Sequence, residues 1–219
     1  MKSIISLILL FVSINSFAQS ELFENEDSIY YNSIGVGLNV EGVRLNELSA
    51  FGLGFDINAG YLINKSIFTN IQFSNVYSLF ENNAGAGYSN KQAFGFQLGV
   101  KKTNKVIDPF VLTEVKFNFY DENSIKRNWQ SINTQFGIRA KINAFESLKI
   151  GSSAAILIGG INLDGDTQLV AGVNLDLDVI IKNKIKAFLD FEFSGGSEVR
   201  SDTSGYLAVQ ASVGLKYIY

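Results

Sequence analysis

Fourteen ionisable side chains sit at alternate positions inside short segments patterned with apolar residues. Seven are acidic (Glu41, Asp56, Glu114, Asp176, Asp178, Asp190, Glu192) and seven are basic (Lys101, Lys116, Arg139, Lys141, Lys149, Lys186, Lys216). Two carboxylates spaced two residues apart can share a proton or hold a cation, and Asp176 with Asp178 and Asp190 with Glu192 have that spacing. Matched charge of both signs on one strand face has a simpler reading, mutual neutralisation in a confined space, because an unpaired charge away from water is costly. The expected network comprises Glu41, Asp56, Glu114, Lys116, Arg139, Lys141, Asp176, Asp178, Asp190 and Glu192, with Asp176, Asp178, Asp190 and Glu192 facing Lys116, Arg139 and Lys141.

Other chemistry lacks its residues. The chain has no His and no Cys, so Ser-His-Asp hydrolysis, Cys-His proteolysis, disulfides and His- or thiolate-bound zinc have no ligands or bases to use. The run Asn162-Leu163-Asp164-Gly165-Asp166-Thr167 places carboxylates around a glycine but lacks the downstream bidentate Glu of a calcium loop, and reads as a turn. Gly85-Ala86-Gly87 is followed by no Lys-Ser/Thr, so it is not a phosphate loop. A net charge of −3 argues against a nucleic-acid partner. The expectation is a protein without enzymatic activity, cofactor or metal.

The elements that carry these residues are strands. Leu207, Val209, Ala211, Val213, Leu215, Tyr217 and Tyr219 alternate strictly with small or polar residues, and the same rhythm recurs ten times. It predicts strands over 33–41, 50–62, 66–79, 92–101, 110–120, 131–142, 148–158, 168–180, 185–193 and 206–219. Most match the length a tilted membrane strand needs. Connections after the third, fifth and ninth strands (80–91, 121–130, 194–205) are longer and polar, whereas those after even strands are short. An even count and that alternation predict an all-β fold, a transmembrane antiparallel up-and-down β-barrel of ten strands, with eight or twelve as the neighbouring counts.

Alternation alone does not say which face meets lipid. Glycines at 35, 37, 52, 54, 60, 95, 99, 137, 151, 172 and 214 all share the face that carries the charges. Glycine weakens an exposed strand but makes room inside a narrow barrel, so the apolar face is expected outside. Lysines at 65, 101, 102, 105, 141, 149, 182, 184, 186 and 216 fall near one rim, where they read as a collar snorkelling to headgroups, or as a docking surface for an acidic periplasmic partner. Tyr61, Tyr217 and Tyr219 at that rim, and Tyr77, Phe119 and Trp129 at the other, fit two aromatic girdles.

Residues 1–18 read as a signal peptide: Lys2, the apolar stretch 4–14, and Ser16-Phe17-Ala18 before Gln19. Residues 19–32 read as an acidic periplasmic tail, and 33–219 as the barrel. The signal ending Phe-Ala-Gln, the glycine-rich alternating hairpins and the aromatic C-terminus resemble the small outer-membrane β-barrel families of Gram-negative bacteria, including the PorT-like group. The resemblance implies insertion by the barrel assembly machinery, which reads a C-terminal strand ending in an aromatic, here Leu215, Tyr217 and Tyr219. It implies no activity, because such barrels host many functions. The expected protein is a monomer in the outer membrane, contacting lipid, with a narrow charge-paired lumen and a structural or binding role. A channel or carrier for small or apolar solutes, a secretion-apparatus component and a soluble secreted ligand-binding barrel are the alternatives.

Overall fold

The computed structural model describes residues 32–45, 48–64, 66–82, 85–102, 107–122, 125–145, 148–163, 166–182, 184–198 and 205–219. The expected signal peptide and tail, except Asn32, and the centre of the 162–167 run lie outside the described residues. The strands are β1 (Ser33–Leu45), β2 (Leu48–Leu62), β3 (Ile67–Asn82), β4 (Gly85–Lys101), β5 (Ile107–Glu122), β6 (Ile125–Phe145), β7 (Leu148–Leu163), β8 (Asp166–Ile181), β9 (Ile185–Glu198) and β10 (Gly205–Ile218). Each pairs antiparallel with its neighbours in sequence, and β1 pairs with β10, so the ten-stranded sheet closes on itself. Both described chain ends lie at one end of the barrel, the termini end; the β1–β2 hairpin lies at the other.

Closure leaves no strand edge unpaired. The seam is completed at the termini end, where the Tyr219 N–H donates to the Asn32 carbonyl (3.0 Å) and the Leu62 N–H to Asn32 Oδ1 (2.9 Å). Asn32 is buried and belongs to the barrel rather than to a tail.

The register fixes the shape. Successive ladder partners run from Asp108 on β5 through Arg139, Ser153, Asp176 and Asp190, and onward through β10 to β4, arriving back on β5 at Tyr120, 12 positions beyond Asp108. With ~3.3 Å per residue and ~4.8 Å between strands, that stagger tilts the strands by about 40° and sets the backbone about 10 Å from the axis. Long side chains from opposite walls therefore meet in the bore.

The apolar face is outside. Phe55, Phe96 and Phe117 are 42%, 43% and 38% exposed, whereas Asp56, between two outward neighbours on β2, is 1% exposed. Exposed Ile, Leu, Val and Phe side chains encircle the molecule from β1 to β10, far beyond the apolar patches that soluble monomers carry.

Three expectations need correcting. The segments 80–91 and 121–130 are largely strand, with only 83–84 and 123–124 between the paired strands, so β3 to β6 extend past the apolar belt. Their outward residues there (Tyr88, Asn90, Asn128, Gln130) are mostly polar, which erased the alternation from the sequence. Glycine is not confined to the inner face either. Once the strands are extended, Gly42 and Gly160 occupy outward positions, and a Cβ on Gly42 would meet nothing within 4 Å. Finally, the inner face is not wholly polar: Phe68, Phe110, Leu112, Leu157, Phe188 and Ile180 turn inward among the glycines.

Candidate functional site: the barrel lumen

Every residue of the expected charge network has inward parity, and most are brought together. Arg139 on β6 reaches over Ser153 on β7 to β8, with Nη2 2.8 Å from Asp176 Oδ1 and 3.6 Å from Asp178 Oδ2. Ser153 Oγ donates to the other oxygen of Asp176. Lys116 Nζ lies 3.4 Å from Glu114 Oε2 on the same strand, and Gln97 Nε2 donates to Glu114 Oε1 at 3.0 Å. Asp56 makes no ion pair among the described residues; Asn58 Nδ2 and Ser212 Oγ donate to its two oxygens at 3.1 and 3.2 Å.

The pairing differs from expectation. Lys116 meets Glu114 and Lys141 meets Asp108 (3.1 Å), neither of them a carboxylate of β8 or β9, and Lys186 joins Arg139 on Asp178 (2.7 Å). Glu41 pairs with Lys91. Lys91 and Asp108 were missed because the predicted strands stop one or two residues short of them, although both keep the parity of their strands. Asp190 and Glu192 make no ion pair among the described residues, though Asp190 is the direct ladder partner of Asp176.

The lysine collar is overturned for half its members. Lys101, Lys141 and Lys149 are buried, Lys186 is drawn to Asp178, and Lys216 Nζ stands 4.7 Å from the centre of the Phe188 ring. Their heights were right and their direction wrong: each has the parity of the inner face, and Lys141, Lys186 and Lys216 turn in to a carboxylate or ring. Lys102, Lys182 and Lys184 are exposed, and Lys65 and Lys105 lie outside the described residues. Of the girdle aromatics, Tyr77, Phe119, Tyr217 and Tyr219 are exposed and Tyr61 is half-buried. Trp129 instead has inward parity and packs on Tyr120, ring centres 5.8 Å apart.

The lumen is filled unevenly. Toward the hairpin end Val76, Phe80, Ala93 and Leu157 are buried and Glu41 binds Lys91. Phe110, Leu112 and Ala155 form an apolar cluster against which Phe68 packs. Two glycines make room for these rings, since a Cβ on Gly99 would run into Phe68 and one on Gly137 into Phe110. Among these side chains lies a cavity of about 210 Å³. Phe68, Phe110 and Leu112 line it from β3 and β5, its charged residues come from β2, β5, β6 and β8 to β10, and Ser33, Gly60 and Leu62 line it at the termini end. Among the described residues no group of three or more Asp and Glu is arranged to hold a metal ion.

No protein-family model and no curated protein matches this chain. Solved structures do. The beta domain of the Bordetella autotransporter Brka is 7% identical, with 86% of this chain and 100% of that chain covered, at a TM-score of 0.52. Neisserial surface protein A is 10% identical over 85% of this chain and 96% of its own, at 0.45. The outer membrane protein OprG from Pseudomonas aeruginosa is 9% identical over 89% and 98%, at 0.41. At these identities the likeness is one of fold alone.

Proposed function

We propose that this chain is an integral outer-membrane barrel of the Gram-negative envelope, present as a monomer, whose bore is closed by its own side chains and which serves a structural or binding role rather than a conducting one. The observation that carries the reading is the inversion of polarity across the wall. Large apolar side chains are exposed all round, while Asp56, Asp108, Asp178 and Lys141 are almost wholly buried. A watery exterior penalises the first and a lipid exterior accommodates it. Filling of the bore toward the hairpin end favours a closed barrel over the channel or carrier alternative.

The exposed Leu215, Tyr217 and Tyr219 on the outer face of β10 suit a C-terminal signal for the barrel insertion machinery. The finer PorT-like likeness, and with it a role in a secretion apparatus, rests on the sequence pattern alone. A basic docking rim loses support because several of its lysines turn inward. The test has two arms. The protein should fractionate with outer membranes and need detergent for extraction; a soluble protein would sink the reading. Purified protein in planar bilayers should pass no steady ion current; sustained conductance would make it a channel.

A further inference from the structure

We propose that the lumen cavity is a binding site for one small organic ammonium ion carrying a compact apolar group, entering from the termini end. The inference deepens the binding role proposed above and rests on that reading. Six carboxylates line the cavity (Asp56, Glu114, Asp176, Asp178, Asp190, Glu192) against four cationic side chains (Lys116, Arg139, Lys186, Lys216), an excess of two negative charges. Their pairing is uneven. Arg139 is committed to Asp176 and Asp178, Lys186 to Asp178 and Lys116 to Glu114, while Asp190 and Glu192 make no ion pair among the described residues. Lys216 likewise makes no ion pair among the described residues, so a single cation stands against these two carboxylates. Confined carboxylates in excess of cations are costly, so this wall favours a positive guest.

A second observation points the same way. Asn58 is 5% exposed, lines the cavity, and spends its Nδ2 on Asp56; its Oδ1 has no partner among the described residues. Asn70, on the same cavity, likewise donates to Gln97, and its Oδ1 too has no partner among the described residues. Both unfilled positions are acceptors, and a buried acceptor without a donor costs stability. An ammonium brings donors and a positive charge, the two things these groups lack. A metal ion is disfavoured because the carboxylates do not converge into a coordinating group. Phe68, Phe110 and Leu112 also line the cavity and offer a surface suited to a hydrocarbon group. A cavity of about 150 Å³ holds benzene, so about 210 Å³ accommodates a benzene ring with a methylammonium arm. The residues at its edge, Ser33, Gly60 and Leu62, begin β1 and end β2, which sets the direction of entry.

Benzylammonium is the probe. It is titrated calorimetrically into the full barrel in micelles, with empty micelles as blank and benzyl alcohol and benzoate as neutral and anionic isosteres. One saturable site is expected, with the isosteres and the Asp190→Asn/Glu192→Gln variant each at least about tenfold weaker. Both substitutions keep side-chain shape; barrel integrity of the double variant and of Asp190→Asn alone is checked by heat-modifiable mobility. No saturable binding, equal binding of benzyl alcohol, or undiminished binding by the folded variants overturns the proposal. Displacement by KCl at the concentrations that suffice for benzylammonium overturns it in favour of an inorganic cation. Ion current in bilayers would sink the closed-barrel reading and is measured separately, so the two failures are distinguishable.

Discussion

Arg139 and Asp176 lie two strands apart and touch because Ser153 stands between them: the three are consecutive ladder partners across β6, β7 and β8, and the small Ser153 lets the guanidinium pass over it. Arg139 also reaches Asp178, so one cation serves two carboxylates. Arg139→Gln should therefore cost roughly 3–5 kcal/mol, the expense of leaving buried charge uncompensated. Arg139→Gln/Asp176→Asn should recover a large part, because one orphaned charge is removed with its partner. Urea unfolding of the micellar barrel, followed by mobility shift, checks both. An Arg139→Gln barrel as stable as the parent would show that the bore is wet enough to solvate Asp176.

Gly99 and Gly137 make space for rings inside the bore. Gly99→Ala should destabilise by about 1–3 kcal/mol, since the added methyl forces the Phe68 ring from its seat against the Phe110 cluster. Phe68→Leu in the same chain should restore part of the loss, as the shorter side chain clears the new methyl. If Gly99→Ala is neutral alone, the inner face has slack that close packing denies it.

Strand identity and facing were legible because period-two alternation reports which side of a sheet meets which solvent. Phe55, Phe96 and Phe117 read as outward from the sequence and are outward. Strand ends were not legible. Tyr88 and Asn90 lie in the seven residues by which β4 extends beyond its predicted start, a region whose outer face is no longer apolar, so the signal fades while the ladder continues. Pairing was not legible either. Which carboxylate meets Arg139 depends on the stagger of the strands, and stagger is a property of the closed sheet rather than of any one segment. Lys141 shows the cost: its partner Asp108 lies on the adjacent strand, at a position that reads as loop.

The upper limit of the apolar belt can be measured. Phe96 lies mid-strand on the outer face of β4, and Tyr88 lies on the same face near the hairpin end. Phe96→Arg should cost about 2–4 kcal/mol, as for a cation near the bilayer midplane, and Tyr88→Arg about 0–1 kcal/mol. Unfolding in phosphatidylcholine vesicles reads both. Equal costs would mean that β3 to β6 are immersed along their whole length.

Tyr219 serves two roles that separate experimentally. Its backbone N–H closes the seam onto Asn32, and its ring stands on the outer face in line with Leu215 and Tyr217. Deleting Tyr219 removes both; Tyr219→Ala removes only the ring. The seam hydrogen bond is worth about 0.5–1.5 kcal/mol, so deletion should lower the stability of the folded barrel by that much and Tyr219→Ala by less. If the aromatic is read during insertion, the order changes in cells. Tyr219→Ala should then depress the folded fraction in the outer membrane nearly as far as deletion does, while refolding into micelles stays close to the parent. Equal folded fractions for Tyr219→Ala and the parent in cells would leave Tyr219 with its seam alone and move the signal to Leu215 and Tyr217.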